Sequence, residues 1–244
     1  LTDIDHAPAR ADMDIDAESA SARGPWSLEA VVAALEEDIV FGRLHPRERL
    51  VEDELMSRFA IKRHVARETL AQLERIGLVE RRRNIGACVR SLTPREVREL
   101  YQLRDLLETE AARCIELPVT AERLAPLVTT QQLHDDAVKA GDARAVFRAN
   151  LHFHRLLFEL ADNATLVLAI AEYARQTHVV RFLSLLSPDC RERSRAEHWQ
   201  MIEALKCGDR DRLVELCGKH LLPSRDAYLA AQQRNQIILD DASG

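Results

Sequence analysis

The side chains best suited to contact a polyanion are arginines in the first third of the chain. Arg63 and Arg67 lie four residues apart, so they share one face of any helix that contains them, and that face carries no large apolar residue. Three consecutive arginines, Arg81, Arg82 and Arg83, follow. A guanidinium group forms paired hydrogen bonds with guanine edges and neutralises phosphates. The pattern therefore predicts a surface that binds nucleic acid.

These arginines fall in a segment whose pattern predicts three helices and a β-hairpin. Apolar residues spaced three and four apart begin after Ser27, the expected N-cap, and stop at Gly42. An extended stretch, two helices and two strands joined by a turn at 84–86 follow, over residues 47–51, 52–59, 62–76, 78–81 and 87–89. This order within about 65 residues is that of a winged helix-turn-helix, with Arg63 and Arg67 on the third helix.

The distribution of charge favours this interpretation over its alternative, a small α+β packing unit with no role in DNA binding. The whole chain carries a net charge of −6. Residues 62–90 contain eight basic and three acidic side chains, which gives +5, whereas residues 1–26 contain six acids and two arginines, which gives −4. A local basic segment on an acidic chain is typical of a protein that contacts DNA with one face.

From Thr93 onward the pattern predicts helices alone. Thr93, Pro94 and Glu96 supply an N-cap, a proline at the first helical position and an acid in the first turn. Breaks in the apolar spacing predict six helices, over about 93–117, 120–140, 142–161, 163–186, 190–207 and 209–235. We therefore expect a mostly α protein. Its parts would be a disordered leader, a winged helix-turn-helix domain, an all-helical domain and a tail, over 1–26, 27–92, 93–235 and 236–244.

The composition argues against a membrane or secreted protein. No apolar run approaches the roughly 18 residues that a membrane span needs. The N-terminus is acidic and lacks the apolar core of a signal peptide. The five cysteines form no Cys-x-x-Cys pair, which favours reduced thiols. These features predict a cytoplasmic protein without a membrane partner.

The segment from Val31 to Val89 resembles the DNA-binding domain of the GntR family of regulators. The match includes Gly42, Pro46, Leu50 with Glu52, the recognition-helix stretch from Ile61 to Leu70, the run Leu73-Glu74-Arg75-Ile76-Gly77-Leu78-Val79, and Gly86. The resemblance implies that double-stranded operator DNA contacts Lys62, Arg63, His64, Arg67, Arg81, Arg82, Arg83 and Gly86. Lys62 and His64 stand where the family usually has Ser and Thr, so we expect a distinct operator sequence.

The C-terminal part resembles the FCD domain, a ligand domain of six or seven helices found in the FadR-like branch of that family. Its opening signature is matched by the stretch from Arg104 to Ala112. In the family a metal is held by Asp-x3-His on one helix and by one His from each of two later helices. The resemblance therefore implies a ligand set of Asn150, His154, His198 and His220, with Asn150 in place of the usual aspartate. It also implies that Arg104 holds the carboxylate of a small effector.

The chemistry of these residues fits a divalent metal, with zinc or nickel preferred. Asn150 and His154 are four residues apart and so point the same way from one helix. Imidazole nitrogens with one oxygen suit both ions. An amide carries no charge, so we hypothesise that Asn150 weakens metal binding and strengthens attraction for an anionic ligand. The alternative for His154, which has apolar neighbours, is a histidine of the core.

The positions of other polar residues predict where they lie. Arg104 interrupts an apolar stripe, so a surface arginine is its alternative. His178 and Arg181 are possible additional pocket residues. His152 lies on a different face from His154, and we expect His134 and His45 on the surface.

Taken together, the sequence predicts a ligand-responsive repressor that binds DNA as a homodimer. Helix-turn-helix regulators commonly read two half-sites as symmetric dimers. The long apolar stripes over 93–117 or 163–186 could supply the dimer interface. The rival class is a helical metalloenzyme with a catalytic three-histidine site, against which stands the absence of an evident general base. A third interpretation is a structural metal in an interaction module.

Overall fold

The N-terminal third of the chain forms a winged helix-turn-helix, as its apolar spacing predicts. The computed structural model describes the backbone of residues 26–241, and their side chains except at 182, 183, 185, 186 and 235–241. The N-terminal elements are α1 (Leu28–Val40), β1 (Arg49–Leu50), α2 (Glu52–Phe59), α3 (Arg63–Arg75), β2 (Val79–Arg82) and β3 (Gly86–Val89). The three strands are antiparallel in the order β1-β3-β2.

Local chemistry explains where these elements begin and how they pack. The Ser27 side chain accepts a hydrogen bond from the Ala30 N–H and so caps α1. The apolar faces of α1, α2 and α3 and one face of the sheet share a core that includes Leu35, Leu73 and Leu78, all fully buried. Gly86 opens β3 with a φ of +99°, a conformation that other residues rarely adopt.

The remaining described residues form seven helices. They are α4 (Pro94–Cys114), α5 (Ala121–Ala140), α6 (Ala143–Glu159), α7 (Ala164–Gln176), α8 (His178–Leu186), α9 (Pro188–Cys207) and α10 (Arg210–Asp241). Thr93 and Glu96 make the predicted capping box at the start of α4. The core of this bundle includes Phe153, Met201 and Leu205, which come from α6 and α9 and are fully buried.

The two halves of the chain are in direct contact through α1. This helix packs against α8, whose Val179 joins the N-terminal core. Two ion pairs also join α1 to described residues of the helical half. The Arg148 guanidinium binds Glu37, with Nη2 and Oε2 2.9 Å apart, and the Arg175 guanidinium binds Glu36, with Nε and Oε1 2.9 Å apart. The N-terminal domain is therefore attached to α6 and α7 by charged contacts as well as apolar ones.

The structure confirms the predicted fold class and corrects several boundaries. The helix predicted over 163–186 is two helices, because the chain breaks at Thr177. The last helix continues to Asp241, beyond the predicted end at 235. Trp26, assigned to the leader, packs edge-on against Phe59 with ring centroids 5.1 Å apart. Residues 1–25 and 242–244 lie outside the described part of the chain. In that part, no helix is both long and apolar enough to cross a membrane.

Candidate metal centre and nucleic-acid interface

Three helices bring the predicted histidines together. His154 on α6, His198 on α9 and His220 on α10 each present a ring nitrogen, and these atoms all lie within 4.8 Å of one another. The Nε2 atoms of His154 and His220 are 3.1 Å apart. His198 is fully buried, with its ring stacked on Phe153 at 3.9 Å between centroids. The histidines thus converge on one point.

Hydrogen bonds outside the cluster fix the direction of two of the rings. Nδ1 of His198 lies 2.8 Å from Oε1 of Gln131, and Nδ1 of His220 lies 2.7 Å from Oε2 of Glu197. Both oxygens can only accept, so the proton of each neutral ring sits on Nδ1 and the lone pair on Nε2. Among the described residues, Nε2 of buried His198 has no hydrogen-bond partner. A metal site needs such an inward-facing lone pair.

The electrostatics of the cluster favour neutral imidazole, the form that binds metals. Burial, followed by the nearby His220, holds the pKa of His154 and that of His198 well below the usual range. Carboxylate or carbonyl groups on the outer ring nitrogen are the usual companions of metal-ligating histidines. The residues present therefore fit a divalent ion such as zinc, with three nitrogen ligands.

A cavity of about 60 Å³ is lined by His220 of the cluster. We call this space the polar cavity. Its lining includes Arg104, Asn150, Arg181, Ser194, His220 and Ser224. Asn150 and His220 thus both line this cavity, and the predicted ligand residue Arg104 lines it as well.

Arg104 is a buried residue, so the alternative of a surface arginine is wrong. Its side chain is 3% exposed and pairs with Glu108, with Nη2 and Oε1 2.8 Å apart, while Nη1 donates to Thr177 Oγ1 at 3.0 Å. A second buried guanidinium, Arg181, makes no ion pair with another described residue. Burial and the charge of Arg104 lower the pKa of Arg181 to about 10. Two guanidinium groups with one carboxylate leave an excess positive charge that suits an anion.

Three polar residues around the centre were missed or misplaced by the sequence. His134 was predicted on the surface, but it is fully buried on α5, with its ring centroid 5.0 Å from that of His198. Neither of its ring nitrogens has a hydrogen-bond partner among the described residues, and burial lowers its pKa to about 4. Gln131 and Glu197 were not singled out. The available signals were the three-residue spacing of Gln131 and His134 and the position of Glu197 next to His198.

Glu197 also bears on the metalloenzyme alternative. Its Oε2 binds His220, and its Oε1 accepts from the Arg193 guanidinium at 2.7 Å. Both oxygens are engaged in orienting neighbours, so this carboxylate serves as a positioning group. His178, named as an additional pocket residue, is buried and lies outside the polar cavity.

The predicted DNA-contacting residues form an exposed face on α3 and the wing. Lys62 is the N-cap of α3, and Arg63, His64 and Arg67 project from its first turns to the outside. Acids of α2 hold both arginines. Arg63 Nη2 lies 2.7 Å from Asp53 Oδ1, and Arg67 Nε lies 3.1 Å from Glu52 Oε2.

The wing residues 81–83 and Gly86 are exposed as well, and the turn between the strands contains Asn84 at a φ of +65°. Arg81 pairs with Glu74, with Nε and Oε2 2.9 Å apart, and Arg82 donates to Glu80 Oε1 at 2.8 Å. Exposed pairs of this kind contribute little stability, so the arginines can exchange their carboxylates for phosphates at small cost. The whole face has the chemistry of a DNA-binding surface.

Comparisons with known proteins cover both halves of the chain. Residues 28–89 match a family model described as bacterial regulatory proteins of the gntR family, and residues 99–222 match a model of the FCD domain. A curated relative, the HTH-type transcriptional repressor RspR of Escherichia coli K12, is 25% identical over 209 residues, which span 85% of this chain and 91% of that protein.

Two solved structures share the fold. A transcriptional regulator GntR from Rhodococcus sp. RHA1 superposes with a TM-score of 0.71 at 22% identity, covering 84% of this chain and 98% of that one. Escherichia coli McbR/YncC gives a TM-score of 0.70 at 19% identity, covering 90% of this chain and all of that one. Both likenesses extend across the N-terminal and the C-terminal elements.

Proposed function

Because this chain belongs to the FadR-like branch of the GntR family of transcriptional regulators, with an FCD domain, we propose that it is a repressor whose DNA binding responds to a small organic anion. The family, the relative and the fold all indicate a DNA-binding regulator and not an enzyme. The observation that carries the DNA-binding part is the exposed face of α3 with Arg63 and Arg67. The name of the relative RspR supports repression.

For DNA contact, we assign the direct base contacts to the first turns of α3. Arg63 and Arg67 would donate to guanine edges or phosphates, and Lys62 and His64 would tune sequence choice. The wing, through Arg81, Arg82, Arg83 and Gly86, would bind phosphates and minor-groove edges. As a homodimer the protein would place two α3 helices about 34 Å apart on double-stranded operator DNA.

For sensing, we assign a divalent metal, zinc or nickel, to His154, His198 and His220, with Asn150 as the adjoining oxygen donor. The support is the convergence of three ring nitrogens, two of them oriented by Gln131 and Glu197. A bound divalent ion would supply positive charge and Lewis acidity toward a carboxylate oxygen.

For the effector, we propose a small carboxylate held in the polar cavity by Arg104 and Arg181. Paired guanidinium groups recognise carboxylates well because their N–H groups match the two oxygens. Arg104 reaches Thr177 at the break between α7 and α8, and α8 packs on α1. An anion at Arg104 would therefore act on the helix that contacts the DNA-binding domain. A tenfold change in DNA occupancy requires only about 1.4 kcal/mol of difference in anion affinity between two states.

DNA binding is tested by fluorescence anisotropy with the DNA flanking the gene of this protein. We expect salt-sensitive binding that the double substitution Arg63→Ala with Arg67→Ala weakens strongly. A matched control is Arg95→Ala, which removes an exposed guanidinium of α4, and it should bind like the wild type. Binding that the double substitution leaves unchanged would refute the assignment.

A further inference from the structure

A second cavity of about 210 Å³ lies where α4, α6 and α7 meet α1 of the DNA-binding domain. It shares Arg104 and Arg181 with the polar cavity, and His154 also lines it, but the proposed function uses neither its apolar wall nor Arg175. Much of its wall is apolar, with Phe158, Val167, Ile170 and Ala174 among the lining residues. We call it the interdomain cavity. It is more than three times as large as the polar cavity, so it has room for an apolar body and not only for a charged group.

The polar residues of the interdomain cavity carry an excess of positive charge. Four arginines line it, Arg104, Arg155, Arg175 and Arg181, with two carboxylates, Glu36 and Glu108. Arg155 is paired with Glu159, which lies outside the lining. Arg104 is paired with Glu108, and Arg175 is paired with Glu36. Arg181 makes no ion pair with a described residue, so one positive charge stays uncompensated in a largely apolar space. A buried charge without a partner is costly, so the unpaired guanidinium favours the entry of one negative charge beside it.

A buried polar side chain without a partner also lines the interdomain cavity. His178 is 2% exposed, and neither of its ring nitrogens has a hydrogen-bond partner among the described residues. One ring face is occupied by Phe147, whose ring centroid lies 5.3 Å away in an edge arrangement. Buried polar groups are nearly always hydrogen-bonded, so an orphaned imidazole on a cavity wall points to a polar ligand atom.

Glu36 is the only described lining residue of this cavity that belongs to the DNA-binding domain. Its carboxylate is largely buried, and that burial raises its pKa despite the nearby Arg175 guanidinium. Ionised Glu36 therefore has a substantial desolvation cost that only the contact with Arg175 offsets. Two residues further along α1, buried Asp38 pairs with Arg58 of α2, the helix that precedes the DNA-reading helix. One face of α1 thus contacts the cavity and another contacts α2.

We propose that the interdomain cavity is a second ligand site, for a monocarboxylate with an apolar body, and that the ligand carboxylate replaces Glu36 on Arg175. The ligand would fill the apolar wall and offer an acceptor to His178 or Arg181. Because Glu36 lies on α1, this exchange breaks one of the two ion pairs between described residues of α1 and the helical domain, while the pair of Arg148 with Glu37 remains. The inference rests on the proposed function in that its output is a change in DNA binding.

The test is calorimetric titration of the full chain with three apolar monocarboxylates, octanoate, phenylacetate and 1-naphthoate, and with 2-phenylethanol as the uncharged analogue. We expect at least one acid to bind and the alcohol not to bind. Arg175→Gln should lower the affinity for that acid by about tenfold or more. Glu36→Gln should raise that affinity, because the competing carboxylate is gone. Ala171→Trp, at the exposed rim of the cavity, should block binding.

Arg148→Gln is the matched control. It removes the ion pair of Glu37 on α1 with the helical domain, but Arg148 does not line the cavity, so the affinity for the acid should be unchanged. The proposal is overturned if no acid binds at about 10 mM. It is also overturned if Arg175→Gln and Ala171→Trp bind as the wild type does, since the acid would then occupy the polar cavity.

Measurements of DNA binding distinguish failure of this proposal from failure of the proposed function. The acid that binds should shift the DNA affinity of the wild type and not that of Ala171→Trp. If DNA binding depends on Arg63 and Arg67 but the acid does not change it, the second site fails and the regulator stands. If neither the wild type nor Glu36→Gln binds DNA at all, the proposed function itself fails.

Discussion

The direction of two of the three histidine rings is set by a neighbour that is not itself a proposed ligand. Glu197 and Gln131 accept from the Nδ1 atoms of His220 and His198, and both rings then point Nε2 toward His154. Partners of this kind typically contribute a factor of 10 to 100 in metal affinity. The geometry of the centre therefore depends on residues one layer outside it.

We expect Glu197→Gln to weaken zinc binding by about 10- to 100-fold, because the charged acceptor that orients His220 becomes a neutral one. The measurement is zinc titration against a competing chelator, with circular dichroism to check the fold. Glu203→Gln, an exposed residue of the same helix, is the control and should bind zinc normally. Equal zinc affinities for the two variants would show that Glu197 does not support the centre.

Asn150→Asp should strengthen zinc binding, because it adds a negative charge to the polar cavity that His220 also lines. The same change should weaken binding of a small anion, since the site becomes less positive. Gln200→Glu adds the same charge at an exposed site of α9 and should change neither quantity. Failure of the aspartate variant to gain zinc affinity contradicts the hypothesis.

Buried histidines should make folding sensitive to mild acid. Burial, followed by the charges of Arg181 and Arg104, lowers the pKa of His178 well below its ordinary value of about 6.5. Below about pH 6.5 the unfolded chain therefore binds a proton at this residue that the folded chain excludes. The stability that neutral His178 contributes is present above pH 6.5 and is lost as the pH falls below that value. In urea unfolding, His178→Phe should show a shallower loss of stability between about pH 7 and pH 5. His152→Gln, at an exposed position, should keep the wild-type dependence of unfolding free energy on pH. The same dependence in His178→Phe would contradict the prediction.

At the residue scale, the sequence identified side chains that could serve as ligands but not all of their surroundings. His154, His198 and His220 do meet, and Arg104 does face a cavity beside them. His134 was misplaced because the face that α5 buries does not follow from its weak apolar pattern. The partners of the histidines come from other helices, and spacing along one helix does not predict such contacts.

Among the elements, α2 and α3 work as a pair. Glu52 of α2 holds Arg67 at 3.1 Å and lies 3.7 Å from Arg63, so DNA must compete with an internal carboxylate for both guanidinium groups. The Glu52 carboxylate keeps the two arginines in place in the absence of DNA and opposes their binding to DNA. This competition should be visible in DNA affinity and in its salt dependence.

We expect Glu52→Gln to raise DNA affinity severalfold at low salt, because the arginines no longer exchange one carboxylate for a phosphate. Glu54→Gln removes the same charge from an exposed position of α2 and controls for the long-range effect. Anisotropy across a salt series compares the two variants. If Glu52→Gln gains no more than Glu54→Gln, the ion pairs do not restrain the arginines.

The helical boundaries show which elements a sequence can predict. The elements of the winged domain lie close to their predicted limits because Ser27, Gly77 and Gly86 mark starts and stops. The break between α7 and α8 was missed because Thr177 is neither Gly nor Pro. Its hydroxyl donates to the Ala174 carbonyl and accepts from Arg104, so the break is stabilised by a contact from another helix.

In the whole molecule, α1 belongs to the DNA-binding domain and also contacts the helical domain. It packs on α3 and on α8, and Glu36 and Glu37 bind Arg175 and Arg148 of the helical domain. The apolar spacing of α1 predicts one buried face but not these charged contacts, because they join residues more than 100 positions apart. The arrangement of the two domains therefore required the structure.

The central claim is that an anion at Arg104 controls DNA binding through this arrangement. The direct measurement is anisotropy of operator DNA with the zinc-loaded full chain, titrated with small carboxylates such as malonate, succinate and citrate. We predict that at least one acid changes the DNA affinity, and that Arg104→Gln abolishes this change while DNA binding without acid persists. DNA affinity that no acid alters, or a response that survives in Arg104→Gln, would contradict the account.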